Sequence, residues 1–377
     1  MFLKINENKV VKKSKRLFRK ILSLLSTIFF LGSVSMLIIF FSSGFWKENK
    51  SEIIDRFDKY GLLNLRYAPE IIYHIVRSPF YSKDKIYIDI KFENLLKLDN
   101  ARKSKLKNLD TEIGSSLLSD PKILVGAKIK FNKSKLLDTK IRIKGDRKIH
   151  FEDADKTSYK INIKNKNLLS GMSEFSIIKP RARNYLDEWI FHEFLKEAEL
   201  LNIRYEFAKV YINGSSQGIY AIEEGYTEQL TERNNLRYGP IFSLNEELST
   251  DPTKTIPSLY NQKFWNKTET RKYISEYANS KLLNFFQSKL KLDDVMDIDK
   301  WSSYFAIVDL NQSIHGALAK SVKFYYNPLT SKFEPIGYDA HYIKKKDQAT
   351  LGEIFFKRPN ELPPFFIQFF SNKEFYL

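Results

Sequence analysis

KVYINGSSQGIYAIEE, residues 209–224, decides how the rest of the chain is read. Two short runs of alternating apolar residues flank an Asn-Gly tip, and Asn-Gly between such runs signals a tight antiparallel hairpin because both residues tolerate positive φ. The second run ends on two adjacent carboxylates, Glu223 and Glu224. Like charges side by side on a half-buried strand repel one another and resist desolvation, so at least one is expected to face water, a cation or a ligand.

Working outward, the segments before this hairpin alternate in the same way. KIYIDIKF (85–92) sets Ile86, Ile88, Ile90 and Phe92 on one face, and AKIKF, TKIRIKG and SYKINIK repeat the period of two. Their opposite faces are largely Lys and Arg, which contributes to the fourteen basic against five acidic residues in 101–150. Such a face is either the solvated side of a sheet or an anion-binding surface, and the solvated side is the simpler reading. Asn184 precedes LDEWIFHEFLKEAELL with Asp187 three residues on, the spacing of a capping box, and Leu186, Trp189, Ile190, Phe194 and Ala198 form one apolar helical stripe. Further on, SVKFYYNPLTSKFEPIGYDAHY reads as a second hairpin turning at NPLTS, with strands near 321–326 and 332–337. Strands, helix, hairpin, helical stretch and hairpin predict an α+β domain over 85–377.

The N-terminal part has a different character. Residues 21–46 contain no charge over 26 positions, more than the roughly 20 a helix needs to cross a hydrocarbon core. This stretch lacks the A-x-A-like end of a cleavable leader, so it is expected to be an uncleaved transmembrane anchor. Eight Lys/Arg against Glu7 in residues 1–20 put that end in the cytoplasm, which leaves the main domain outside it. Residues 47–84 have mixed three and four spacings and are expected to form a helical stalk.

With 377 residues, 43% of them hydrophobic, the chain has ample material for a core. The net charge of +17 is concentrated in the anchor's flank and in 101–150, and no nucleic-acid-binding module is present, so nucleic acid is not an expected partner. Zero cysteines exclude thiolate chemistry and disulfides. There is no G-x-S-x-G, H-E-x-x-H or Walker loop, and histidines 74, 150, 192, 315 and 341 are too scattered to argue a metal cluster.

Five segments between about Lys140 and His341 resemble, in order, the CotH kinase family, the atypical protein kinases related to spore-coat protein H. IRIKGD with TSYKINIK is similar to the family's glycine-containing loop and following strand, and LSGMSEFSIIKPRARNYLDEWIFHEFL to its Gly-Met segment and first helix. VYINGSSQGIYAIEE matches its Asn-Gly hairpin, and FYYNPLTSKFEPIGYDAH resembles its Tyr-rich hairpin ending in an Asp metal site, here PIGYD with Asp339. The resemblance implies a two-lobed kinase-like fold, ATP and Mg²⁺ as cofactors, and transfer of phosphate to an envelope protein.

Carried over residue by residue, it implies that Lys160 contacts the α and β phosphates, with Arg142 and Lys144 adding positive potential. Lys160 read by itself is equally a solvent-facing strand lysine. Glu193 either orients Lys160 or is an exposed helical carboxylate; Glu223 and Glu224 either face the nucleotide's sugar or base, or form an edge-strand charge pair. Asp339 either ligates Mg²⁺ or caps its turn. The sequence departs from active members in HGALAKSV (315–322), which lacks the catalytic Asp and metal-binding Asn expected there. Asp309 and Asn311 from a shifted loop, and His315 as a base, are the candidates to replace them. The resemblance leaves open a non-catalytic envelope scaffold on the same fold, and relatives usually continue beyond IQFFSNKEFYL, so a longer chain is expected.

Overall fold

The computed structural model describes residues 32, 33, 35, 84–111, 123–145, 147–244, 256–318, 321–340, 350–357, 364–372 and 375. The expected anchor (21–46) and stalk (47–84) lie outside these apart from residues 32, 33, 35 and 84, and among the described residues no helix is long and apolar enough to cross a membrane. Lys83–Leu377 forms one compact unit, and its described part is a mixed α+β structure.

Seven strands, β1 (Lys85–Asp89), β2 (Val125–Phe131), β3 (Leu137–Ile143), β4 (Tyr159–Ile163), β5 (Glu174–Ile178), β6 (Tyr205–Ile212) and β7 (Ser215–Glu224), close into a barrel. Their order is β1-β2-β3-β4-β5-β7-β6, and a parallel β1–β6 pairing shuts the ring while the other neighbours run antiparallel. The alternating apolar residues point inward, as their period of two requires: Ile88, Ile129, Ile141, Ile161, Phe175, Ile177 and Val210 are all fully buried. The alternation in 85–92 stops one residue pair early. Ile90 is buried, but Phe92 is 78% exposed because it opens helix α1 (Phe92–Thr111), whose Leu98 and Leu106 pack on the barrel core.

The Asn-Gly tip forms as expected, with φ of 49° at Asn213 and 81° at Gly214. Asn213 also seals the tip to β1, its side chain accepting from the Ile90 N–H at 2.7 Å and donating to the Ile90 carbonyl at 2.9 Å. Val210 and Ile212 are buried in the core, and a register shift between Val210 and Tyr211 sets Gly218, in place of Gln217, opposite Val210.

Helix α2 (Asp187–Glu197) departs from the sequence expectation in two ways. Asn184 adopts positive φ, 47°, and its side chain bonds to the Asp187 carboxylate rather than to a helix N–H, so no capping box forms. The apolar stripe is also turned outward: Leu186, Trp189, Ile190 and Phe194 are 38–52% exposed, while Glu188, Phe191, His192 and Leu195 are buried. Phe191 and Leu195 belong to the second core, which sends this face inward and carries Glu188 and His192 with it.

That core lies against a four-stranded sheet ordered β11-β10-β8-β9. Its strands are β8 (Ile241–Leu244), β9 (Pro257–Leu259), β10 (Lys323–Asn327) and β11 (Lys332–Ile336), the last two being the expected second hairpin. Between the hairpins come α3 (Glu228–Arg233), α4 (Gln262–Trp265), α5 (Glu269–Phe286), α6 (Leu292–Val295) and α7 (Ile298–Leu310), followed after the sheet by α8 (Leu351–Lys357) and α9 (Pro364–Phe370). Trp301, Tyr304, Phe285, Phe324, Phe333 and Phe366 are each fully buried in this core.

Candidate functional site

Strand register builds one wall of the site. Arg142, Lys160, Ser176, Glu223 and Tyr205 are successive cross-strand partners on five neighbouring strands, so their side chains form a row on the outer face of the barrel. Lys144, two residues beyond Arg142, shares that face. Its ammonium donates to Ser176 Oγ at 3.0 Å and forms an ion pair with Glu223, with side-chain exposures of 14% and 4%. Burial lowers the Lys144 pKa and the Glu223 carboxylate opposes that shift. Glu224, pointing to the other side of the strand, accepts from Arg233 at 2.8 Å and from the Arg204 backbone N–H at 2.9 Å. The adjacent carboxylates are thus each neutralised, in different places.

The other wall comes from α2 and the loop after β11. Arg183 sits in a 3-10 turn, Pro180–Arg183, and its Nη1 lies 2.7 Å from Asp339 Oδ1, with Nε 3.8 Å from Glu188 Oε2. Burial alone would lower the Arg183 pKa, but Asp339, Tyr338 and Glu188 together raise it well above the ordinary value. Asp339 has φ of 58°, a left-handed conformation that Asp tolerates better than most residues. Its N–H donates to Glu188 Oε1 at 2.7 Å and its carbonyl lies 2.8 Å from His315 Nδ1. With that carbonyl able only to accept, the His315 proton belongs on Nδ1, which leaves Nε2 to accept from Arg147 at 2.8 Å. The Lys144 and Lys323 ammoniums lie 5.4 and 5.0 Å from the centre of the Tyr338 ring.

Lys144 and Arg183 therefore pair with Glu223, Glu188 and Asp339, while Arg147 joins through His315 and Lys323 through the Tyr338 ring. Several buried polar atoms here have no hydrogen-bond partner among the described residues, including Glu223 Oε2 and the hydroxyls of Tyr205 and Tyr226. Buried polar groups in native proteins are normally satisfied, so the open Tyr205 and Tyr226 hydroxyls mark places where water or an anionic ligand can be met, whereas Glu223 Oε2 can only accept from a donor such as water.

Of the site residues expected from sequence, Lys144, Glu223, His315 and Asp339 come together, and Arg142 borders them. Lys160 does not pair with Glu193. It binds Glu174 at 2.6 Å, its nearer partner across the sheet, while Glu193 pairs with Lys196 at 3.7 Å on the exposed side of α2. Asp309 accepts the Leu351 N–H at 2.8 Å at the start of α8, and Asn311 ends α7, so neither stands in for the missing acidic residue. Arg147, Ser176, Arg183, Glu188 and Lys323 were not singled out by sequence. Glu188 could have been, since Glu188, Phe191, His192 and Leu195 form a second stripe at helical spacing.

Mg²⁺ at Asp339 does not fit this arrangement. The Arg183 guanidinium, 2.7 Å from Asp339 Oδ1, faces the carboxylate a metal would need. Phosphate fits better, because Lys144, Arg147 and Arg183 present N–H donors of the right charge. A separate groove of about 580 Å³ has an apolar wall of Pro180, Tyr185, Leu186, Phe207 and Ile219 and a charged rim of Lys156, Lys179 and Arg181 with Glu152 and Asp153, so its cations are offset by carboxylates.

His150 supplies a pH prediction. It packs under Gly145, whose φ of 95° and contact with the imidazole leave no room for a Cβ. Burial, reinforced by Arg183 and Lys144, lowers the His150 pKa to about 3. Below pH 6.5 the unfolded chain takes up a proton that the folded one refuses, so stability falls as pH drops from 6.5 toward 3. At pH 5 the loss is about 2 kcal/mol. Urea midpoints of the parent and His150→Gln at pH 7.5 and 5.0 measure it, and an unchanged pH dependence in the variant would refute the assignment.

The family model for CotH kinase protein matches residues 141–362, from the end of β3 past α8. No curated protein is similar enough to the chain to match it.

Proposed function

Because the chain belongs to the CotH kinase family, we propose that it is a membrane-anchored CotH-like protein whose two-lobed, kinase-like domain binds the phosphates of a nucleotide at the Lys144–Glu223 cluster. The family suggests nucleotide use, and ATP is the expected ligand. One observation carries the reading: a buried lysine held between Glu223 and Ser176, with Arg183 among the charges near it and unsatisfied tyrosine hydroxyls in the same region. Lysine paired to a glutamate and aimed at nucleotide phosphates is how kinases orient the α and β phosphates. Here Lys144 fills that role in place of the sequence-derived Lys160, and Glu223 fills the role considered for Glu193.

Binding is better supported than transfer of phosphate to protein Ser/Thr. Transfer needs a base for the acceptor hydroxyl and charge stabilisation at the leaving group. Asp309 is committed to the Leu351 N–H, and Arg147 occupies the His315 nitrogen that would take a proton. These engagements favour a nucleotide-binding envelope protein with little or no transfer, its main domain outside the cytoplasm as the charge asymmetry of the anchor predicts.

Equilibrium titration of the full-length chain, purified in detergent, with ATP tests the proposal. Saturable binding is expected, and Lys144→Met should weaken it at least about tenfold, the loss of one charge-assisted contact. A folded chain that binds no ATP would transfer the case to a non-catalytic scaffold.

A further inference from the structure

We propose that Arg183 takes the place of a divalent cation at this site, so that a phosphorylated ligand is held there without metal. The inference rests on the reading of the cluster as a phosphate site. Its starting point is the way Asp339 is immobilised. Backbone groups on both sides of its Cα are engaged, the N–H by Glu188 at 2.7 Å and the carbonyl by His315 at 2.8 Å, while φ is held at 58°. The carboxylate is thereby aimed at Arg183 Nη1, 2.7 Å away, with 13% of its side chain exposed.

Arg183 is no more free to leave. It is 3% exposed, lies at the end of a turn begun by Pro180, has Glu188 on its Nε side, and stands 5.5 Å from the centre of the Tyr338 ring. A metal ion on Asp339 would meet this guanidinium in a poorly solvated site, where repulsion between like charges is weakly screened. A phosphoryl group meets the opposite situation. Arg183 supplies one of the positive charges a divalent metal would contribute, partly offsets Asp339 and Glu188, and can add donors to those of Lys144 and Arg147 without a bridging ion.

The test titrates the full-length chain with ATP and with inorganic pyrophosphate, each in Mg²⁺ and in EDTA. Under the proposal both ligands bind in EDTA within about threefold of their affinity in Mg²⁺. Asp339→Asn is expected to tighten binding in EDTA by about three- to tenfold, because Arg183 is released toward the phosphate. Arg183→Lys should weaken binding at least about tenfold in both conditions, since a single ammonium cannot span carboxylate and phosphate as the planar fork does. Binding that requires Mg²⁺ and is lost in Asp339→Asn overturns the inference while leaving the nucleotide site intact. A folded chain that binds neither ligand in either condition overturns both. Should Arg183→Lys fail to fold, the EDTA comparison of the parent with Asp339→Asn decides alone.

Discussion

Replacing Glu223 by alanine is expected to cost about 3–5 kcal/mol of folding stability, the range for removing one partner of a buried ion pair. The Lys144 ammonium would remain in a pocket where burial already lowers its pKa, with Ser176 Oγ at 3.0 Å as its remaining hydrogen-bond partner among the described residues and Arg183 among the nearby charges that disfavour ionisation. The cost comes from the orphaned charge more than from the lost contact, which makes it separable. The double variant Lys144→Met/Glu223→Leu removes both charges and retains volume, so it should recover most of the loss. Urea denaturation of the two single variants and the double variant gives the coupling energy. If Glu223→Ala costs less than about 1 kcal/mol, the pair behaves as a solvated surface bridge and the site is wetter than its geometry implies.

Trp301→Ala should produce a loss of similar size, about 3–5 kcal/mol, with no bearing on the charges of the site. Trp301 is fully buried in the second core, and its ring centroid lies 5.0 Å from Phe369, 5.1 Å from Phe324 and 5.5 Å from Phe305. Its indole N–H donates to the Phe333 carbonyl at 3.0 Å, but that carbonyl also accepts the Asp297 N–H at 3.0 Å. The damage is therefore mainly cavity and lost apolar burial. Trp301→Phe should recover more than half of it, because an aromatic ring still fills most of the space. Equal losses in the two variants would show that the indole hydrogen bond, and not packing, carries the effect.

The two variants test parts of the molecule that differed in legibility. The two hairpins followed from local turn chemistry, whereas the aromatic core around Trp301 in α7 was not read from sequence beyond a helical stretch. The barrel's inward residues were readable from a period of two, which needs no knowledge of the partner strand. Ring closure was not, since the parallel pairing of Ile86 with Val210 joins residues 124 positions apart and leaves no local trace. Helix α1 was missed altogether: FENLLKLDNARKSKLKNLDT lacks a clear apolar stripe and gains its burial from the barrel it lies on.

Sequence by itself determined the α+β class and the Asn-Gly hairpin and carried the motifs of the family. Only the tertiary structure decided who pairs with whom. Helix α2 illustrates why: 187–197 carries two stripes at helical spacing, Trp189-Ile190-Phe194 and Glu188-Phe191-His192-Leu195, and hydrophobicity favours burying the first. The fold buries the second, because Phe191 and Leu195 complete the second core while Glu188 meets Arg183 and the Asp339 backbone. Lys160 was likewise separated from Glu193 by Glu174, a partner on the adjacent strand. Local patterns record the geometry of a single element, whereas ion pairing depends on distances between elements remote along the chain, and at Asp339 that distance places Arg183 against the carboxylate proposed for a metal.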